Sequence, residues 1–300
     1  MNTRNYKKQV QLLLAVLPLV ANENCFALHG GTAINLFHHN MPRMSVDIDL
    51  TYLLVENRDT SMENINLALG RIKQKILEYL PNTHVKHRPK EAKLIVSNME
   101  VSIKVEVNTI KRGCFSPPQI RTLSKHAQQE FDAFCEMQLV DNAHLFGGKI
   151  CAALDRQHPR DLFDIQRMFR NMAFDNDLKK GFIFYLVSSN RPFIEMLFPN
   201  FKDQKSVFEN QFTGMTFEPF SYEDFKTTRT HLIQEIYASL SAADKQFLLS
   251  IENGLPDWGI YDFSSFPAIQ WKLLNVNKLK EHNPTKHKKM LSQLETKLSI

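Results

Sequence analysis

The segment LHGGTAINLFHHNMPRMSVDIDL, from Leu28 to Leu50, decides how the rest of the chain is read. It runs as a short strand, a glycine turn, a helix, a loop and a second strand that ends in Asp47-Ile48-Asp49. Successive side chains of a strand point to opposite faces, so Asp47 and Asp49 project together while Ile48 packs behind them. Two adjacent carboxylates repel each other, and keeping both ionised on one buried edge calls for a cation between them. Hard oxygen ligands at this spacing suit Mg²⁺ that retains some of its water. Gly30-Gly31-Thr32 opens the intervening helix, and bare backbone amides at a helix N-terminus form an anion site. A triphosphate with Mg²⁺ satisfies both halves of the segment. Thr32 is expected to place its hydroxyl on a phosphate. Ser45 and Arg43 stand just before the metal strand, with Arg43 either touching phosphate or capping the site.

A glycine turn followed by an Asp-x-Asp strand resembles the signature of the nucleotidyltransferase superfamily. Three further segments, IKVEVN (Ile103 to Asn108), KICAALDRQHPRDLFDI (Lys149 to Ile165) and FPAIQWKLLNV (Phe266 to Val276), make the chain similar to the AbiEii/AbiGii toxins. These are nucleotidyltransferase toxins of bacterial toxin–antitoxin and abortive-infection systems. The resemblance spans most of the chain.

That resemblance assigns roles to further residues. A third acid is expected in a hydrophobic-acid-hydrophobic strand, and Val105-Glu106-Val107 fits, with Glu106 completing metal coordination and helping to activate the acceptor hydroxyl. The plain alternative is an exposed glutamate paired with Lys104 or Lys90. The family pattern of a lysine, then Arg-Asp, then a further Asp is filled by Lys149, Arg160-Asp161 and Asp164. Lys149 is carried over as the ligand of the nucleotide phosphates, a compact charge suited to them. Asp164 is the acid that orients it or the base. Asp161 lies one helical turn from Asp164 and reads equally as part of a salt-bridge set with Arg156, Arg160 and Arg167. His29, His38 and His39 lack zinc-ligand spacing and read as structural, and Trp271 reads as core.

Composition fits a cytoplasmic enzyme. Four cysteines, Cys25, Cys114, Cys135 and Cys151, form no CxxC pair and read as ordinary thiols of a reducing compartment. Arg4, Lys7 and Lys8 ahead of VQLLLAVLPLVA imitate a secretory signal, but Gln11 interrupts the apolar run and no small-x-small cleavage site follows. An amphipathic or buried first helix is the expectation, and no other segment approaches a membrane span. The formal charge is +5, yet His84 to Lys125 alone holds nine Lys or Arg against three Glu, a net +6. Lys278, Lys280, Lys286, Lys288 and Lys289 form a second cluster. Such patches suit a polyanion such as RNA, or are solvated faces.

The periodicity predicts helices over 6–20 and 32–38 and strands over 26–29 and 46–53. A long amphipathic helix is built on Ile65, Leu69, Ile72, Ile76 and Leu80 and stopped by Pro81. Lys93 to Ser97 and Val101 to Val107 flank Asn98-Met99-Glu100 as a hairpin. From Asp141 onward the pattern is helical, with Asp141 a reasonable N-cap and Pro159 opening the next helix. The fold class expected is α/β: a nucleotidyltransferase-fold mixed sheet with helices over 1–135, then a mainly α-helical C-terminal domain over 136–300.

These readings converge on Mg²⁺-dependent transfer of NMP from an NTP. Family membership implies an RNA acceptor, with the 3′ end of tRNA the leading candidate, and a neighbouring antitoxin. Two rivals use the same residues. A small-molecule nucleotidyltransferase of the antibiotic-modifying kind acts on a small hydroxylated acceptor with weak salt dependence. A non-catalytic nucleotide-binding or interaction module binds a triphosphate and releases no pyrophosphate.

Overall fold

The computed structural model describes residues 3–299. It consists of two compact units, Met1–Asp141 with Ser206–Phe220, and Asn142–Lys205 with Ser221–Ile300.

The first unit is built on a mixed seven-stranded sheet. In chain order its elements are α1 (Thr3–Ala21), β1 (Phe26–His29), α2 (Gly30–Thr32) running on as a π-helical segment (Ala33–His38), β2 (Asp47–Tyr52), α3 (Arg58–Tyr79), β3 (His84–Arg88), β4 (Lys93–Ser97), β5 (Ser102–Asn108), β6 (Gln119–Thr122), α4 (Lys125–Phe131) and β7 (Glu136–Leu139). The strand order is β3-β4-β5-β2-β1-β7-β6. β2 runs antiparallel to β1 and parallel to β5. The α/β class expected from the sequence is present.

Alternation sets the two faces of this sheet. Phe26 and Leu28 of β1, Ile48, Leu50 and Tyr52 of β2, Leu94 and Val96 of β4, and Ile103, Val105 and Val107 of β5 are buried. Contacts from α1 to β2, β5 and β7 and from α3 to β3 and β4 supply the cover. α1 turns Val10, Leu13, Leu17 and Val20 inward, each fully buried, while Gln11 stays exposed. α3 is capped by Asn57, whose side chain accepts from the Thr60 amide, and it buries Ile65, Leu69, Ile72 and Ile76. Among the described residues no helix is long and apolar enough to cross a membrane. Strands β3, β6 and β7 add to the expected set. Their five, four and four residues are too short and too polar for alternation alone to announce them.

Residues 206–220 rejoin this unit through α9 (Lys205–Val207) and a π-helical turn (Phe208–Phe212). The Met44 amide donates to the Met215 carbonyl and the Phe217 amide to that of Pro42, both at 2.9 Å. An isolated bridge pairs Arg43 with Thr216. The loop carrying Arg43 and Ser45 is thus strapped by a segment far along the chain.

The second unit is helical: α5 (Asn142–Arg156), α6 (Pro159–Asn171), α7 (Asn176–Val187), α8 (Phe193–Leu197), α10 (Tyr222–Ser239), α11 (Ala242–Glu252), α12 (Pro267–His282) and α13 (Pro284–Leu298). Capping boxes at Ser221/Asp224 and Ser241/Asp244 start α10 and α11. The core is aromatic, with Phe182, Phe184, Phe193, Phe225, Phe247 and Phe263 essentially inaccessible. Trp271 is 48% exposed, which corrects the expectation of a core position. The neighbours Lys272 and Leu273 take the buried side of α12.

α5 and α7 cross with backbone in contact. A Cβ on Gly147 would stand 2.3 Å from the Gly181 carbonyl carbon, and one on Gly181 would stand 1.9 Å from the Ala143 carbonyl oxygen. Neither clash can be relieved by a rotamer, since the atoms met are main chain. Gly181→Ala is therefore expected to lower stability by about 3 kcal/mol or more through overpacking. A urea titration followed by far-UV circular dichroism measures this; an unchanged midpoint would show that the crossing is loose.

Candidate active site

β1 and β2 lie antiparallel with His29 opposite Asp49, so the Gly30 turn that leaves β1 arrives beside the carboxylates of β2. Asp47 and Asp49 are half-buried on one face, and Ile48 between them is fully buried on the other. Gly30 has φ +74°, and a Cβ there would sit 2.5 Å from Asp49 Oδ2. Both facts require glycine: the left-handed backbone favours it, and the Asp49 carboxylate fills the space a side chain would take. Helix begins directly at Gly30, two residues before the expected start.

Thr32 is the fastening between the two halves. Its hydroxyl is fully buried and donates to the Asp47 carbonyl oxygen at 2.5 Å, with Ser45 Oγ 3.0 Å away. The hydroxyl would have to exchange this bond to donate to a phosphate. Thr32 positions the Asp47–Asp49 strand against the glycine helix. Asn35 reinforces the same turn by donating to the Gly31 carbonyl at 2.9 Å. Arg43 and Ser45 are buried against the turn: a Cβ on Gly31 would meet Arg43 Nη2 at 2.9 Å and Ser45 Oγ at 3.0 Å. Arg43 Nη1 also donates to the Met44 carbonyl. A guanidinium packed behind amides adds positive potential to a surface already suited to an anion.

Glu106 lies next to Asp49 in the parallel β2–β5 register and opposite Lys93 in the antiparallel β4–β5 register. Its carboxylate meets Lys93 Nζ at 3.1 Å, and Lys93 also meets Glu91 at 3.5 Å. The partner is therefore neither Lys104 nor Lys90. Among the described residues no group of three or more His, Cys, Asp or Glu is placed to hold a metal ion. The geometry brings Asp47 and Asp49 together and leaves Glu106 one strand away on Lys93. Glu106 joins a metal only by exchanging that ion pair. Two carboxylates still suit Mg²⁺, which commonly binds through one or two carboxylates with substrate phosphates and water completing its octahedron. Asp47 and Asp49, half-buried on one face of β2, supply such carboxylates.

In the helical unit, Lys149, Asp161 and Asp164 meet. Lys149 Nζ lies 2.9 Å from Asp161 Oδ1 and 2.9 Å from Asp164 Oδ2, and all three side chains are at most 6% exposed. Arg156 clamps Asp161 with Nε at 2.5 Å and Nη2 at 2.9 Å. The salt-bridge set is thus present with Arg156, and Lys149 is part of it. Pro159 opens α6 with the His158 side chain accepting from the Arg160 amide, which sets Asp161 and Asp164 one turn apart facing α5. An ammonium carries three donors, and two are spent here. The two cations and two carboxylates cancel in charge.

The basic stretch from His84 to Lys125 is less uniform than its sequence. Arg112 is 5% exposed, and burial, aided by the nearby Arg58, holds its guanidinium below the usual value. Arg88 and Lys93 are engaged with Glu91 and Glu106. Burial pushes the thiols of Cys25 and Cys135 up to about 11 and that of Cys114 up to about 12, so none of the three is a thiolate nucleophile near neutrality.

Residues 11–275 match the family described as nucleotidyl transferase AbiEii toxin, type IV toxin–antitoxin system. No curated protein gives a significant sequence match. Among solved structures, the chain is similar to MenT4, a nucleotidyltransferase toxin of Mycobacterium tuberculosis H37Rv, with a TM-score of 0.63 and 12% identity over 91% of this chain and 93% of that one. At that identity the likeness concerns the fold.

The Asp161 cluster yields a pH prediction. Burial alone would raise the Asp161 carboxyl, but Lys149 and Arg156 outweigh it and hold the group far below the ordinary carboxylate range. A carboxylate depressed by folding adds stability that is complete above its unfolded value of about 3.9 and is lost as pH falls below it. Asp161→Asn is expected to cost about 3–5 kcal/mol at neutral pH by leaving the buried Lys149 ammonium underpaired, and to flatten the loss of stability between about pH 4 and 2. Denaturant titrations across that range measure both, and equal acid sensitivity in the variant would refute the assignment.

Proposed function

Because the chain belongs to the AbiEii family of nucleotidyltransferase toxins of type IV toxin–antitoxin systems, we propose that it transfers a nucleoside monophosphate from an NTP to RNA, with Mg²⁺ on Asp47 and Asp49 and the tRNA 3′ end as acceptor. The observation that carries this reading is the Asp47–Asp49 pair on one sheet face, with Asp49 seated against the Gly30 turn. In this assignment the Gly30 and Gly31 amides hold the triphosphate, backed by Arg43 and Ser45. Thr32 keeps the turn and the carboxylate strand in register.

The acceptor's 3′-hydroxyl oxygen forms the new bond to the α-phosphorus, the α–β bridging bond breaks, and pyrophosphate leaves. Glu106, released from Lys93, is the carboxylate assigned to the acceptor side and to the hydroxyl proton. Mg²⁺, when bound, neutralises phosphate charge and lowers the pKa of the attacking hydroxyl. Lys149 is assigned to the triphosphate oxygens: Asp161 and Asp164 fix its ammonium and leave one donor unspent. A toxin of this family implies a cognate antitoxin, and a tRNA acceptor places the reaction in the cytoplasm.

Incubating the protein with each labelled triphosphate, Mg²⁺ and total RNA tests the proposal. Label is expected in RNA; label only in small hydroxylated acceptors would replace RNA as the substrate, and triphosphate binding without pyrophosphate release would remove the activity. Asp47→Asn and Asp49→Asn should each reduce transfer to background while folding normally, because each relieves carboxylate repulsion. Wild-type turnover in either would overturn the metal assignment. For Lys149→Ala, two readouts separate the roles: lost turnover per folded molecule supports phosphate binding, whereas a lower melting temperature with full specific activity leaves Lys149 as a structural cation.

A further inference from the structure

On the sheet face opposite α1 and α3, strand register aligns two cross-strand rows that both reach the carboxylate pair. One row is Arg88, Lys93, Glu106, Asp49 and His29. The other is Lys86, Ile95, Lys104 and Asp47, on β3, β4, β5 and β2. Registered partners on neighbouring strands point to the same side. Period-two alternation therefore puts all of these on one face, with Val85, Leu94, Val96, Ile103 and Val105 buried on the other.

The rows differ in how their charge is used. In the first, Arg88 meets Glu91 at 3.0 Å and Lys93 is held by Glu91 and Glu106. In the second, Lys86 and Lys104 are exposed, and among the described residues neither makes a hydrogen bond or ion pair, nor does the Asp47 carboxylate. Lys104 and Asp47 are register partners, about one strand spacing of 4.8 Å apart, where opposite charges ordinarily pair. Each is left available to a charge from outside: a cation for Asp47, and anions for Lys104 and Lys86. Ile95 between the lysines is half-buried and gives the row an apolar floor. The whole row spans three strand spacings, about 14 Å, and stops where the reaction is assigned.

An acceptor polyanion whose terminus must reach Asp47 is the partner that fits a row of this direction. We infer that the acceptor RNA lies along Lys86, Ile95 and Lys104, with its terminal phosphates on the two lysines, so that Lys104 positions the strand beside the metal pair. This rests on the nucleotidyl-transfer reading above and adds where the acceptor is held.

The test compares Lys86→Glu with Lys104→Glu, combined, against the equal charge change Lys288→Glu with Lys289→Glu on α13, all in the full chain. Binding of deacylated tRNA is measured from 50 to 300 mM KCl, beside binding of a non-hydrolysable triphosphate and a thermal melt. Loss of two phosphate contacts should weaken tRNA binding about tenfold and reduce the salt slope by about 1.4–1.8. Triphosphate binding and melting should stay unchanged, and the α13 variant should keep wild-type tRNA affinity. The inference is overturned by an unchanged tRNA affinity and slope, whether or not antitoxin binding falls, or by an equal loss in the α13 variant. If Lys86→Glu/Lys104→Glu lowers the melt, the alanine pair serves instead with the same criteria. Failure of the transfer reading appears separately, as wild-type protein that binds tRNA along this row yet labels no RNA.

Discussion

The hydrogen bond from Thr32 Oγ1 to the Asp47 carbonyl oxygen is the joint on which the active-site half of the molecule turns. It ties the first turn of a helix to the first residue of β2, so the glycine amides and the carboxylate pair are set by one contact. A buried hydroxyl in such a place has to find an acceptor, since leaving it unmet costs about 1–3 kcal/mol. The Asp47 carbonyl is available because β2 begins there. Asn35 and Ser45 close the same knot from either side. The outcome is a turn whose position relative to Asp49 leaves room for glycine only.

Charge follows a contrasting design in the two units. In the sheet unit, Asp47 and Lys104 are neighbours in register and make no ion pair with each other, which leaves both charges uncommitted. In the helical unit, Lys149, Asp161 and Asp164 satisfy one another in a nearly dry setting, with the largely exposed Arg156 closing on Asp161 from the solvent side. A buried set like this adds little net stability over an apolar core but is costly to break singly, so it holds the Lys149 ammonium in one place.

Much of the fold was legible because it rests on periodicity. Phe26–His29 and Lys93–Ser97 are strands at the residues expected, and the Ile65–Ile76 stripe is the buried face of α3. The side-by-side placement of Asp47 and Asp49 follows from the same two-residue period. Other features answer to long-range context that local pattern does not carry. The short strands β6 and β7 exist because a sheet edge was there to pair with. Arg112 reads as a surface cation in a basic run, yet it is drawn under the loop beside Glu56, whose carbonyl it meets at 3.4 Å. Thr32 reads as a phosphate ligand from its motif, and only the position of β2 reveals the acceptor that claims its hydroxyl. Trp271 reads as core from its bulk, but α12 has a narrow buried side that Lys272 and Leu273 already fill.

The strap from Met215 to Phe217 gives the chain a particular history during synthesis. Met44 finds its backbone partner at Met215, 215 minus 44 or 171 residues later. Domains ordinarily complete themselves N-terminal first as they leave the ribosome, but a nascent chain ending at Asp141 holds every strand of this sheet and still lacks the segment that fixes Pro42 to Met44. The loop behind the glycine turn is finished only after residues 142–205 of the helical unit have been made. For a chain of a toxin family, the order of translation itself delays completion of the loop behind the Gly30 turn until Phe217 has been made.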